Sequence, residues 1–455
     1  MKVLVLYHAG FTYTPAIEHY LTAFKRHSAH EIRYFNIDQP YDVPLDFSGY
    51  DAVFVNYCVS SASIARYKPL PYMLGLVAAL RWYRGVKVVA AQDEYDFTNS
   101  LKRFVLQIKA DIFFTCVPQN CLDLIYPELE FANMQFETVQ TAYLAEDLLE
   151  VDAEDILPLS ERLIPLGYRG RNLPYRLGDI GWHKSEVGVQ FKNACVAAGI
   201  RHDIEVSEDK RFAGAEWLSF VRRCRVMLGS PSGANVFDFD GVLHQTLAER
   251  MRATPTLLYE DVRDEIRPYE TDRDMGQVSA RVYEAVAQRT ALALVRGSYS
   301  GVLDPEEHYV PIETDYSNVE TVLNRVLDLS AMQAMADRAY THVLNSKRNR
   351  YSYMVERFDK LIETCKCSPA REGVRSPRVT LAPLGCDPYL FDKLVELRVD
   401  LHKMFDDMRE MTKLVSENRL EVIAHPDGTY RILKHAEPQV THDSDWQELV
   451  DAGMV

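Results

Sequence analysis

Residues 2–10 read KVLVLYHAG, an apolar run that stops at His8-Ala9-Gly10 and is followed, from Pro15 to Phe24, by apolar residues at helical spacing. That is a strand, a glycine-containing loop and a helix. Asp51-AVFVNY, Val86-KVVAA and Asp111-IFFTC repeat the strand signal, and Tyr72 to Trp82 reads as a helix between two of them. Strands this apolar are covered on both faces, which predicts a parallel sheet with helices on either side. Ligands of such sheets lie beyond the carboxyl ends of the strands. His8–Thr12, with Gly10, and Gln92–Tyr95, with Asp93 and Glu94, therefore fall where a site would be.

A second set of strand signals begins at Arg162-LIPLGY and continues through Val226-MLG, Ala253-TPTLLY and Ala291-LALV. The chain accordingly divides into two α/β halves, residues 1–155 and 156–365, with the acidic stretch 145–155 at their junction. Residues 366–386 have the Pro, Gly and charge content of a linker. Beyond them Leu390, Leu394, Leu397, Leu401, Met404, Met408, Met411 and Val415 recur in steps of four and three, a heptad seam. With the hairpin expected around Asp427-Gly428, residues 387–435 form an extension that predicts a homo-oligomer through 387–417. Residues 436–455 read as a disordered acidic tail.

The 455 residues can bury a core in each half, and the composition, 47% hydrophobic and 26% charged, is that of an ordinary globular protein. The formal charge of −15 repels nucleic-acid phosphates unless a local basic patch overrides it, so no nucleic-acid partner is expected. No pair among the eight cysteines has C-x2-C spacing, and reduced, mostly buried thiols are expected. The amino terminus is too short in its apolar run for a signal peptide, and no stretch is long enough to span a bilayer. This places the protein in a cytoplasm.

A dinucleotide fingerprint would need G-x-G-x-x-G after the first strand, where HAGFTYTP has one glycine, and the P-loop pattern is absent. Three other segments carry chemistry. In Gly167-YRGRNLPYRLGDIGWHK-Ser185, Arg169, Arg171, Arg176 and Lys184 cluster around glycines after a strand, a composition suited to gripping a diphosphate. Val226-MLGSPSGANVFDFDG-Val242 gathers Ser230, Ser232, Gly233, Asp238 and Asp240 on one loop, where the aspartates could hold a divalent metal or sugar hydroxyls, or simply form a turn. In Gln277-VSARVYEAVAQRTALALVRGSYSG-Val302, Ser279 can cap a helix bearing Arg281 and Glu284. The following strand ends at Tyr299, Ser300 and Gly301.

In that order the three segments resemble the carboxy-terminal half of GT-B glycosyltransferases of the retaining family-4 kind and their capsule or O-antigen relatives, over about residues 160–365. The resemblance implies a GT-B fold, two Rossmann-like domains facing a cleft, and no metal or other cofactor. The nucleotide-sugar donor would be bound mainly by the second domain. It gives Arg169, Arg171 and Lys184 to the donor diphosphate and Glu284, within Val282-YEAVAQRTAL, to the nucleotide ribose. Ser230, Ser232, Gly233, Asp238, Gln277, Ser279, Arg281, Tyr299, Ser300 and Gly301 fall on the other donor-binding segments. Asp93 or Glu94 would orient a glycan or lipid-linked acceptor, with peripheral contact at the inner face of a membrane. The first glutamate of the family's paired motif falls on Gly276, with Asp274, Gln277 and Ser279 beside it. The resemblance thus implies sugar transfer with retention in surface polysaccharide synthesis, and the alternative is a non-catalytic nucleotide-sugar or glycan-binding scaffold.

Overall fold

The computed structural model describes residues 1–9, 14–37, 47–60, 76–77, 79–81, 83–150, 156–212, 214–366, 420–424 and 430–434. Gly10, the linker, the heptad seam and the acidic tail lie outside the described residues, as does most of the helix expected from Tyr72 to Trp82. Two compact units are present. Of the described residues, the first comprises those within 1–115, 122–139 and from 355 onward, and the second those within 116–121 and 140–354.

In the first unit six parallel strands, β1 (Lys2–Tyr7), β2 (Glu31–Asn36), β3 (Ala52–Val55), β4 (Val86–Ala90), β5 (Ile112–Thr115) and β6 (Gln135–Thr138), lie in the order β2-β1-β3-β4-β5-β6. The Pro15–His27 helix starts where Thr14 accepts the Ile17 N–H at 3.4 Å, with Pro15 at the first position and Lys25, Arg26 and His27 in its last turn. Phe24 of this helix, Phe54 of β3 and Phe114 of β5 all meet Phe358, with ring centroids 5.1, 5.4 and 6.1 Å away. The Tyr351–Lys366 helix therefore closes the first unit's core although it follows the second in sequence. Asp359 fixes it by accepting from Ser28 Oγ and the Ala29 N–H.

The second unit holds β7 (Ile164–Arg169), β8 (His202–Glu205), β9 (Cys224–Gly229), β10 (Ala291–Val295) and β11 (Val310–Ile312), all parallel, in the order β11-β10-β9-β7-β8. The chain winds one way from β7 to β8 and the other way from β9 to β11, so the topological switch lies between β7 and β9. A ligand crevice is expected at their carboxyl ends. Gly167 of β7 is set by close approach, since a Cβ there would stand 2.3 Å from Cys224 Sγ and 3.1 Å from the Phe220 ring. Gly167→Ala should cost about 1–3 kcal/mol through overpacking, read as a lower midpoint in thermal or urea denaturation.

The strand expected at Ala253-TPTLLY is not one. Pro255 lacks a ladder donor, Leu258 is 60% exposed, and the Leu258 N–H goes to Asp261 Oδ2 at 2.9 Å. Leu257 and Tyr259 instead join a separate small core with Val236, Leu243, Leu247, Val262 and Ile266. The expected hairpin is present, with β12 (Leu420–Ala424) antiparallel to β13 (Tyr430–Lys434). Cys58, Cys116, Cys121, Cys195 and Cys224 are buried, as expected. Among the described residues no helix is long and apolar enough to cross a membrane.

Candidate functional site

The switch point of the second sheet is where the three segments meet. Lys184, on the Gly178–Ala198 helix that follows β7, donates from Nζ to the Ser230 carbonyl at 3.1 Å and to Ser232 Oγ at 3.3 Å, both just past β9. Ser232 pairs in turn with Gln277 through two backbone bonds of 2.8 and 2.7 Å. Ser300 Oγ donates to Gln277 Oε1 at 2.9 Å and accepts the Val278 N–H at 3.1 Å. Tyr299, Ser300 and Gly301 are three consecutive residues with positive φ, 45°, 55° and 69°. For the first two that conformation costs of order 1–3 kcal/mol each, and the Ser300 bonds to 277 and 278 help to hold it.

Arg281 lies on the Ala280–Ala287 helix and donates to the Arg169 carbonyl at the end of β7. Ser279, at that helix's N-cap, makes no capping bond with its side chain and lines a pocket of about 40 Å³ together with Tyr168, Lys184, Trp217, Ser230 and Arg281. That volume takes a water or two, so a larger ligand must lie across the pocket's mouth. The cations crowd one another. Burial, then Arg281 and Arg171, bring the Lys184 ammonium down from 10.5 to about 7. Burial also lowers Arg281, with Arg211 and Arg171 adding to the effect and Glu284 opposing it. Like charges gathered at a sheet's ligand-binding edge are relieved by an anion.

Glu284 accepts from Trp217 Nε1 at 2.7 Å, and the Arg281 guanidinium stands 5.1 Å from the centroid of the Trp217 ring. Of the residues singled out in sequence, the structure thus brings together Lys184, Ser230, Ser232, Gln277, Ser279, Arg281, Glu284 and Ser300. Arg171 is exposed and acts on the group through its charge. Gly233 sits at φ 93°, and Gly301 closes the left-handed run.

Other expectations are met differently. The Arg169 guanidinium is engaged within the protein: it pairs with Asp203 Oδ1 at 2.7 Å and stands beside the Phe212 and Phe220 rings, 4.6 and 4.3 Å from their centroids. Arg169→Gln should therefore lower stability by about 2–3 kcal/mol while leaving nucleotide affinity unchanged, a split that denaturation and calorimetry would read. Asp238 is buried and accepts the His244 N–H at 2.7 Å, in the first turn of the Val242–Ala253 helix, so at least one of its oxygens serves as a cap. In the first unit Glu94 is buried at the end of β4, where its carboxylate accepts from Thr115 Oγ1 at 2.7 and 2.8 Å and from Tyr126 OH. Asp93 beside it is exposed, at φ 55°.

Sequence reasoning missed Trp217, Tyr168 and Arg211. The only signal was chemical: a buried indole N–H needs an acceptor. Elsewhere in the second unit, Asp304, His308 and His342 bring ligand-type atoms within 4.8 Å of one another. His308 Nδ1, however, accepts the Asp304 N–H at 2.9 Å, which commits that lone pair to closing the loop.

The chain matches no protein-family model and no curated protein sequence. Among solved structures it is similar to an alpha-glucosyltransferase in complex with UDP and a 13-mer DNA, at 10% identity and a TM-score of 0.45 over 80% of this chain and 99% of that one. It is also similar to Anabaena HepE in complex with UDP, at 9% identity and 0.46 over 80% and 100%. A DNA-modifying beta-glucosyltransferase matches at 11% identity and 0.46, again over 80% and 100%. These are distant architectural likenesses. They do correct one expectation. One of them holds a 13-mer DNA, against the expectation of no nucleic-acid partner, which rested on net charge alone. A whole-chain charge is a sum, whereas binding is governed by charges within a Debye length, about 8–10 Å, of the contact.

Proposed function

We propose that this chain is a glycosyltransferase that takes its sugar from a nucleotide-sugar donor, with the donor diphosphate held by Lys184, Arg281 and Arg171 at the β7–β9 switch point. The observation that carries this is the crowding of those cations, with Lys184 brought to about 7 beside the hydroxyls of Ser232 and Ser279. A bound diphosphate restores the Lys184 proton. The protonated amine then stabilises the charge that develops as the bond from the sugar carbon to the diphosphate oxygen breaks. These side chains supply the positive charge themselves, so the reading invokes no metal. Glu284, held by Trp217, takes the ribose hydroxyl pair.

The finer reading, transfer with retention to a glycan or lipid-linked acceptor in surface polysaccharide synthesis, is supported by the resemblance of residues 160–365 to retaining GT-B enzymes. A second reading, a nucleotide-sugar-binding protein without transfer, is favoured by Gly276 at the position of the family's first glutamate. Thermal shift against a panel of nucleotides and nucleotide sugars tests the proposal. A true donor at 100 times its Kd adds about 2.7 kcal/mol of stability, and its turnover releases nucleoside diphosphate. Binding without release selects the second reading, and no shift with any nucleotide rejects both. The acceptor assay includes oligonucleotides beside glycans.

A further inference from the structure

The Gly214–Arg223 helix carries an aromatic face that grips the charged residues around the site. Phe220, with Phe212 just before the helix, encloses the Arg169 guanidinium, and Trp217 meets both Arg281 and Glu284. Trp217 is 7% exposed, and a phenylalanine would fill most of the same space. What phenylalanine lacks is the Nε1–H that reaches Glu284 Oε2 at 2.7 Å. Arg281 and Glu284 are three residues apart on the Ala280–Ala287 helix, so they project from neighbouring positions on one face. One indole therefore addresses both, the carboxylate through its N–H edge and the guanidinium through its π face.

We propose that Trp217 is a positioning residue for nucleotide recognition: by donating to Glu284 it fixes the carboxylate in the orientation that receives the ribose hydroxyls. This rests on the reading of the site given above. A carboxylate has acceptor capacity for several hydrogen bonds, so the indole bond can orient Glu284 without exhausting it. A glutamate left to rotate would have to be ordered on each binding event, and the Trp217 bond provides that order in advance. The effect is then specific to the sugar hydroxyls and not to the phosphates.

The test uses the full chain, a panel of ribonucleoside diphosphates, the 2′,3′-dideoxy counterpart of the best binder, and inorganic diphosphate. Wild type is expected to prefer the ribonucleotide to its dideoxy analogue. In Trp217→Phe that preference should shrink roughly five- to tenfold, the size of one typical net hydrogen bond, while inorganic diphosphate binds as before. In a Glu284→Ala background Trp217→Phe should change nucleotide affinity no further, because the tryptophan acts through the carboxylate. A variant that keeps the wild-type preference, or that loses affinity equally for all three ligands, overturns the positioning role and leaves the diphosphate site standing. A wild type that binds neither nucleotide nor diphosphate overturns both. Trp217→His retains a ring N–H and should recover part of the preference if the hydrogen bond is what matters.

Discussion

Lys184→Met is expected to lose nucleotide-sugar turnover by two to three orders of magnitude, roughly the cost of removing one charged donor from a developing anion, while the ligand-free protein becomes no less stable than wild type. The two effects have one cause. In the folded chain the ammonium is brought from 10.5 to about 7 by burial, Arg281 and Arg171, so the fold binds this proton more weakly than the unfolded chain does. The resulting penalty is complete below about pH 7 and fades as the pH rises towards 10.5. Methionine keeps the stem and removes the charge, so its stabilising effect should be largest at acid pH. Thermal denaturation at about pH 6 and 9 beside a nucleoside diphosphate release assay would show both. A variant that unfolds more readily at acid pH, or that retains turnover, contradicts the role assigned to Lys184.

Arg162→Met should be the most damaging single change to the second unit's stability, at about 3–5 kcal/mol, or roughly 10 °C in the melting temperature. Arg162 is 2% exposed, and its guanidinium donates to the Leu157, Cys224 and Gln288 carbonyls at 2.9, 3.1 and 2.8 Å and to Thr290 Oγ1 at 2.7 Å. Those acceptors lie before β7, at the start of β9 and ahead of β10, so one side chain ties three strand entrances together. Methionine fills a similar volume and leaves the acceptors buried without this donor. Nucleotide affinity in the folded fraction should be unchanged, because these contacts are at the amino-terminal ends of the strands. Chemical denaturation measures the loss, and a loss below about 1 kcal/mol would mean that water replaces the guanidinium.

Part of this architecture was legible because central parallel strands are apolar on both faces. β1, β3, β4, β5, β7, β9 and β10 all announced themselves. The four strands that sequence reasoning missed, β2, β6, β8 and β11, are the edges of the two sheets. An edge strand pairs on one side only and tolerates sequences such as EIRYFN, QFET, HDIE and VPI, in which charge, shortness or proline hides the period. The opposite error, at Ala253-TPTLLY, arose because an apolar run does not say which core it enters. The loops of the site were legible for a related reason: arginine, lysine, serine and glycine after a strand have few structural uses in common. The direction of a side chain was not. Arg169 and Arg171 are two residues apart in one loop, yet one guanidinium is enclosed by Phe212, Phe220 and Asp203 and the other is exposed. What decides between them comes from β8 and the helix after it, more than thirty residues further along the chain. Glu94 is a similar case, its burial set by Thr115 and Tyr126.

In the proposed function an anionic diphosphate completes the charge of the Lys184, Arg281 and Arg171 group, and proton uptake on binding tests this most directly. Calorimetric titration with the best-binding nucleoside diphosphate, repeated in buffers of different ionisation enthalpy, reports the protons exchanged on binding. At about pH 8 the free Lys184, with its value near 7, is mostly neutral and the bound one protonated, so uptake approaching one proton per nucleotide is expected. Well below pH 7 the amine is already charged and its uptake should vanish. Lys184→Met should abolish the alkaline uptake. Binding at about pH 8 that takes up no proton, or takes up the same amount in Lys184→Met, would contradict the account.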